Sequence, residues 1–100
     1  MMPSDERASE RFEHDPAAHR FKLTVGNAVA VLDYRQHDLG TLECYHTFVP
    51  PAMRGNGVAS RLVAKALRHA LDHGLTVIPT CPFVSAFIRK HEEYAAVLAR

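Results

Sequence analysis

This sequence of 100 residues has few cysteines, no long apolar runs and no marked excess of charge of either sign. Two cysteines, Cys44 and Cys81, are too few for a disulfide scaffold, so a reducing cytoplasm is the expected location. Unbroken apolar runs reach about five residues, as in Ala28–Leu32, whereas a membrane-spanning helix needs about 20. Met1–Asp15 holds no hydrophobic run, so neither a signal peptide nor a membrane partner is predicted.

The charge balance and the length narrow the classes of function. Lys and Arg number 12 against 11 Asp and Glu, whereas a nucleic-acid binder usually carries a basic excess, so no nucleic-acid partner is predicted. A chain of this length makes one domain and leaves no room for a Rossmann dehydrogenase, a TIM barrel or a kinase. Hydrophobic residues make up 47% of it, which is enough for one small core.

Alternation of apolar and polar residues predicts three strands behind a loose N-terminal arm. Residues 1–18 are polar and charged, so we expect a flexible arm there, which Phe12 attaches to the domain at residues 19–100. The predicted strands form an antiparallel meander of His19–Val25, Ala28–Arg35 and Thr41–Val49. Gly26–Asn27 and Gln36–Gly40 are the predicted turns. On the third strand we expect one shared face for Leu42, Cys44, His46 and Phe48.

The apolar period then changes from that of a strand to that of a helix. A stripe of apolar residues predicts a long helix over Asn56–His73, which Gly74 ends in a left-handed conformation. Leu75–Pro79 is expected to pair in parallel with the third strand, because a helix crosses between them. A second helix is predicted over Phe83–His91, and Ala95–Leu98 is expected to pack at the end.

The loop between the third strand and the long helix carries the clearest chemical signal. Pro50 and Pro51 end the strand, and small residues then open a helix whose first N–H groups suit a phosphate. Gly55 and Gly57 leave room for close approach, and Arg54 can add a charge-assisted bond. A Walker A loop is excluded because Gly57 is not followed by Lys and Ser or Thr, which leaves a phosphate-binding loop or a plain tight turn that caps the helix.

The string Arg54-Gly55-Asn56-Gly57-Val58-Ala59 resembles the Q/R-x-x-G-x-G/A motif of the GNAT superfamily of N-acetyltransferases. The wider pattern is similar to a short, single-domain family of that superfamily, typified by bacterial YjdJ-type proteins and N-acetyltransferase domain-containing protein 1. That pattern consists of His46–Pro51, Pro79–Val84 and His91–Tyr94, and the resemblance covers residues 12–98.

The resemblance implies an α/β (α+β) class, with a trimmed GNAT acetyltransferase fold of order β-β-β-α-β-α. An antiparallel meander would be joined by one parallel pair that splays. The implied cofactor is acetyl-CoA, with its pyrophosphate held by Arg54, Gly55, Asn56, Gly57, Val58 and Ala59. The pantetheine would enter the splay and bond the backbone near Phe48 and Val49. Proline supplies a physical reason for the splay, since each of Pro50, Pro51 and Pro79 removes a ladder donor.

Cys81 and His46 are the predicted catalytic residues. Cys81 stands at a strand-to-helix junction, where a thiol is stabilised as thiolate, and the resemblance puts it near the acetyl thioester. His46, on the neighbouring strand, is expected to take its proton, so that the pair relays the acetyl group or deprotonates an amine. The alternative is a buried thiol beside a hydrogen-bonded core histidine.

Other polar residues offer weaker candidates. Glu43 is either a second base or a surface carboxylate, and an unbroken strand would place it on the face opposite His46. The sequence departs from the resemblance at Ile88, which stands where larger GNAT members carry a tyrosine that protonates the departing CoA thiolate. His69 and His73 are expected to be a solvated pair near a helix C-terminus, and no metal site is predicted.

These features together predict an N-acetyltransferase-like enzyme that transfers an acetyl group from acetyl-CoA to an amine of a small molecule or a protein. The competing interpretation is a non-catalytic acyl-CoA-binding or protein-interaction module that keeps the cofactor site. Turnover of acetyl-CoA with a panel of amines separates the two.

Overall fold

The computed structural model describes residues 10–98. Its strands are β1 (Glu10–Asp15), β2 (Arg20–Val25), β3 (Ala28–Asp38), β4 (Thr41–Phe48) and β5 (Thr76–Pro79). Its helices are α1 (Val58–Asp72) and α2 (Pro82–Lys90), with short 3-10 helices at Pro51–Met53 and Glu92–Val97. Over this part of the chain, none of the helices has both the length and the apolar character that a membrane span requires.

The strands form one sheet in the order β1-β2-β3-β4-β5. Neighbours from β1 to β4 are antiparallel, whereas β5 is parallel to β4 because α1 crosses between them. The predicted meander and parallel pair are therefore confirmed. β3 continues to Asp38, so the predicted turn at Gln36–Gly40 shortens to its last two residues.

The predicted N-terminal arm needs a correction. Residues 10–15, which belong to the expected arm at 1–18, form β1 and pair with β2 along its whole length. The rings of Phe12 and Phe21 stack with their centroids 5.9 Å apart, so the expected contact of Phe12 with the domain is present. The first part of the predicted arm, residues 1–9, lies outside the described residues.

One hydrophobic core lies between the sheet and the helices. Alternate strand residues face it, namely Phe21, Leu23, Ala30, Leu32, Tyr34, Leu42, Cys44 and Val77. The predicted helical stripe supplies the other side, with Val58, Leu62, Val63, Ala66, Leu67 and Ala70 of α1. α1 ends before Gly74, whose φ of +66° is the left-handed conformation expected there. The same core includes Val84, Phe87 and Ile88 of α2, so the sheet and helices together position the loop and strand ends described below.

Candidate active site

β4 and β5 separate halfway along β4. Their parallel pairing ends at Cys44 and Pro79, whereas β4 continues to Phe48. The last backbone link is the N–H of Cys81, which donates to the carbonyl of Cys44 at 2.9 Å. Pro79 cannot donate to a ladder, which helps to end the pairing there. The predicted splay is present, and we call the gap between residues 45–48 and the first turn of α2 the fork.

A β-bulge at Tyr45 reverses the faces of β4 at the fork. Cys44 pairs with Tyr34 of β3, but the next pair joins His46 to Asp33, so Tyr45 has no partner. Cys44 faces the core, while His46 is turned to the opposite, exposed face of the sheet. The prediction of one face shared by Leu42, Cys44, His46 and Phe48 is therefore wrong beyond Cys44.

Thr47, rather than His46, meets Cys81 in the fork. Oγ1 of Thr47 and Sγ of Cys81 lie 3.5 Å apart. Cys81 is only 6% exposed and occupies the N-cap position of α2. The structure does not bring the predicted pair of Cys81 and His46 together, because the bulge places His46 on the other face of the sheet. Sequence reasoning missed Thr47, since its orientation depends on that bulge.

Cys44 is poorly suited to act as a nucleophile. Burial raises the pKa of Cys44 to about 12, with smaller contributions from Cys81 and Glu43. A thiol with such a pKa stays protonated near neutral pH, and the thiolate is the nucleophilic form. Cys81, at the fork, is therefore the candidate thiol for chemistry.

The loop before α1 presents main-chain donors. Gly55 and Gly57 adopt left-handed φ values of +87° and +70°, a region that L side chains rarely occupy. Bonding toward the helix starts with the N–H of Arg61, which donates to the carbonyl of Gly57 at 3.0 Å. The N–H groups of residues 58–60 thus have no partner within the helix, and Gly57 supplies no side-chain cap. A helix end of this kind attracts anions.

A groove of about 220 Å³ lies between this loop and the start of α2. Most of the predicted cofactor residues line it together, namely Val49, Arg54, Gly55, Gly57, Val58 and Ala59, with Met53, Ser60 and Phe83. Asn56 instead lines a neighbouring pocket of about 260 Å³ that reaches the β2–β3 turn. Phe48 is 45% exposed, and the guanidinium carbon of Arg54 lies 5.9 Å from the centre of its ring.

Two arginines fix the loop. Nε of Arg54 donates to the carbonyl of Val49 at 2.8 Å. Nη1 of Arg61 donates to the carbonyl of Asn56 at 2.6 Å, and its Nε donates to both carboxylate oxygens of Glu10 at 3.1 Å. Arg61 therefore joins the loop to β1. Sequence reasoning missed this link because Glu10 falls in the predicted arm.

Glu43 belongs to a polar network on the exposed face, at the base of the fork. Its Oε2 accepts a hydrogen bond from Oγ1 of Thr80 at 2.7 Å, and its Oε1 lies 2.9 Å from Nε2 of His37. Nη1 of Arg35 lies 3.7 Å from Oε2. The bonds from Thr80 and His37 lower the pKa of Glu43. Because of the bulge, Glu43 and His46 share this face, contrary to the arrangement expected for an unbroken strand.

Of the remaining side chains, Ile88 is buried, His69 and Tyr94 are half-buried, and His73 is exposed. Ile88 is 4% exposed within α2 and offers no hydroxyl at the position of the missing tyrosine. Tyr94 is half-buried, with its ring centroid 5.9 Å from that of Phe87. The rings of His69 and His73 stack at 4.1 Å. Among residues 10–98, His, Cys, Asp and Glu side chains form no group of three that could hold a metal ion.

Known proteins share this sequence pattern and this fold. A sequence profile described as GCN5-related N-acetyl-transferase matches residues 20–97. Protein NATD1 of Xenopus tropicalis is 29% identical over 89 residues, which cover 87% of this chain and 82% of that protein. Protein NATD1 of Danio rerio is 30% identical over 88 residues, covering 84% and 80%. A solution structure of a GCN5-like protein from Staphylococcus aureus aligns with a TM-score of 0.69 at 24% identity, covering 92% of this chain and 90% of that one.

Together with the matching profile, the forked parallel strand pair and the glycine loop at the start of a long helix identify an N-acetyltransferase-like protein. The chain belongs to the GCN5-related N-acetyltransferase family, whose profile matches more than half of it. The family and the fold class predicted from the sequence are both confirmed.

Proposed function

We propose that this protein binds acetyl-CoA and transfers its acetyl group to an amine. The observation that carries the proposal is the groove, which Val49 lines beside the fork and Val58, Ala59 and Ser60 line at the helix start. Along this groove the anionic diphosphate of the cofactor would meet the helix start, and its amide-bearing arm would meet the end of β4. The loop also has the necessary space, since a Cβ atom built at Gly55 would meet nothing within 4 Å.

The residues that would hold the cofactor follow from the unused donors and acceptors. The N–H groups of residues 58–60 would bond the diphosphate, and the exposed guanidinium of Arg54 would add a charge-assisted bond. Phe48, the last residue of β4, and Val49 after it face no strand across the fork, so their backbone groups would bond the pantetheine amides. Arg54 now donates to Val49, so it would exchange that carbonyl for a phosphate oxygen.

Bound acetyl-CoA would supply an acetyl group activated as a thioester. We assign His46 to take the proton of the amine, since imidazole is the commonest general base; it would do so from the exposed face of β4, without contact with Cys81. Cys81 lies against Thr47 on the core side of the fork. We assign it to the covalent relay: its sulfur would bond the acetyl carbon while CoA leaves as the thiol with the Cys81 proton, and the amine would then attack this new thioester, forming the C–N bond and releasing the Cys81 thiol.

Calorimetric titration with CoA tests the cofactor. We expect saturable binding, and no binding at millimolar CoA would reject both the enzyme and the acyl-CoA-binding module. Intact-mass spectrometry after incubation with acetyl-CoA tests the relay. We expect one added acetyl group at Cys81, lost in Cys81→Ala and kept in the matched control Cys44→Ala. CoA binding without any acetylated product from a panel of amines would favour the non-catalytic module.

A further inference from the structure

We propose that Glu43 is a positioning residue, which holds the base of the fork through Thr80 and so fixes Cys81 against Thr47. This inference rests on the proposed function in taking the fork as the acetyl site. It assigns to Glu43 a task other than proton transfer.

The first support is the spacing of the cross-links at the base of the fork. Two consecutive residues of β4, Glu43 and Cys44, hold two consecutive residues of the β5–α2 junction. Glu43 accepts a bond from the side chain of Thr80 at 2.7 Å, and Cys44 accepts one from the N–H of Cys81 at 2.9 Å. Past these two bonds β4 bulges at Tyr45 and has no paired strand on this side.

The second support is the way the carboxylate is itself held. His37 and Arg35, both on β3, approach the two oxygens of Glu43 at 2.9 Å and 3.7 Å. The side chain of Glu43 is 18% exposed, less than either partner. The carboxylate of Glu43, on β4, therefore links Thr80 of the β5–α2 junction to residues of β3. The position of Thr80 thus depends on two strands, β3 and β4.

The third support is the direction of the hydrogen bonds. An ionised carboxylate only accepts hydrogen bonds, and a threonine hydroxyl can donate one. Both oxygens of Glu43 are already engaged, by His37 and Thr80. The N–H of Thr80 donates to the carbonyl of Ile78 at 3.1 Å, so this short junction is held by its backbone as well as by its side chain. A carboxylate with these contacts is placed to hold the β5–α2 junction in position.

The test compares variants of the link by the reactivity of Cys81. Thr80→Val removes the hydroxyl at nearly constant shape, Glu43→Ala removes the acceptor, and Thr80→Ser restores the donor. Iodoacetamide alkylation of Cys81, followed by peptide mass spectrometry, is expected to be at least about fivefold faster in the first two variants. Thr80→Ser is expected to keep the wild-type rate, as is the control Glu93→Gln, a substitution of an exposed carboxylate on the last 3-10 helix.

The double variant sharpens the test, because Thr80 and Glu43 should both affect Cys81 through the one hydrogen bond that joins them. Thr80→Val with Glu43→Ala is expected to react no faster than the faster single variant, and the Cys81 amide should exchange faster with solvent in all three. Wild-type alkylation in Thr80→Val, or multiplied effects in the double variant, would overturn the inference.

Turnover separates positioning from base catalysis. With whichever amine the panel identifies, Thr80→Val and Glu43→Ala are expected to lower kcat while leaving the shape of the pH profile unchanged. If the acidic limb of the pH profile is lost in Glu43→Ala but kept in Thr80→Val, Glu43 acts as a base, which contradicts the positioning role. Alkylation and amide exchange need no CoA, so they decide this inference even if the protein fails to bind CoA and the proposed function is rejected.

Discussion

Replacing Gly57 by alanine tests the glycine loop in a quantitative way. Gly57 has a φ of +70°, where an L residue costs about 1–2 kcal/mol. Its new Cβ would lie 3.5 Å from Nη1 of Arg61, an ordinary contact, so backbone strain is the main effect. If the loop keeps its shape, the strain lowers the free energy of unfolding. If the loop relaxes, binding of CoA must restore the shape and the affinity falls instead.

The two losses in Gly57→Ala are therefore expected to sum to about 1–2 kcal/mol. If all of that falls on binding, Kd rises roughly 5- to 30-fold. Urea denaturation and calorimetric CoA titration measure the two terms on the same protein. The matched control is Gly40→Ala, whose φ is not left-handed and whose Cβ would lie 3.9 Å from Oδ1 of Asp38. Wild-type values for Gly57→Ala in both assays would refute the reasoning.

Three other features make testable predictions. Burial lowers the pKa of His14 and His69, so the unfolded chain binds more protons. The free energy of unfolding should be full above the ordinary histidine pKa of about 6.5 and fall as the pH drops below it. Urea denaturation across that range checks this, and the double variant His14→Gln/His69→Gln should flatten the slope. Arg61→Ala removes charged hydrogen bonds that join α1 to β1 and to the loop, so unfolding should cost about 1.5–3 kcal/mol less. Arg68→Ala removes only an exposed helix pair and should lose less than about 0.5 kcal/mol, by the same assay. Cys44, with a pKa of about 12, should resist iodoacetamide in the folded protein, as peptide mass spectrometry would show.

The periodicity of apolar residues was sufficient to predict α1 and the strands of the meander. The stripe on α1 is buried as predicted from Val58 to Ala70, and its last residue, Leu71, is half-buried, because a helix that packs on a sheet must bury one continuous face. The hairpin at Gly26–Asn27 also forms, with Gly26 alone taking a positive φ, of +61°.

β1 escaped prediction because its stability comes from tertiary contacts. Its residues alternate, but Phe12 and His14 are separated by charged neighbours, which is typical of an exposed segment. In the structure His14 lies 2.6 Å from the hydroxyl of Tyr34, and Glu10 pairs with Arg61. Neither partner is near in sequence, so local pattern carries no sign of them.

The site was predicted in part for a similar reason. The glycine loop is local in sequence, and all of its predicted residues except Asn56 line one groove. The contact of Cys81 depends on a single unpaired residue, Tyr45, which shifts every later side chain of β4 to the other face. Simple alternation therefore selected His46 where the structure places Thr47.

Titration of ¹⁵N-labelled protein with CoA, followed through the backbone amide signals, tests the central claim most directly. If the start of α1 holds the diphosphate, the largest saturable shifts fall on the N–H groups of Gly55–Ser60, with smaller shifts at Phe48 and Val49. Loop amides that stay unmoved at millimolar CoA, or largest shifts on another face of the protein, would contradict it.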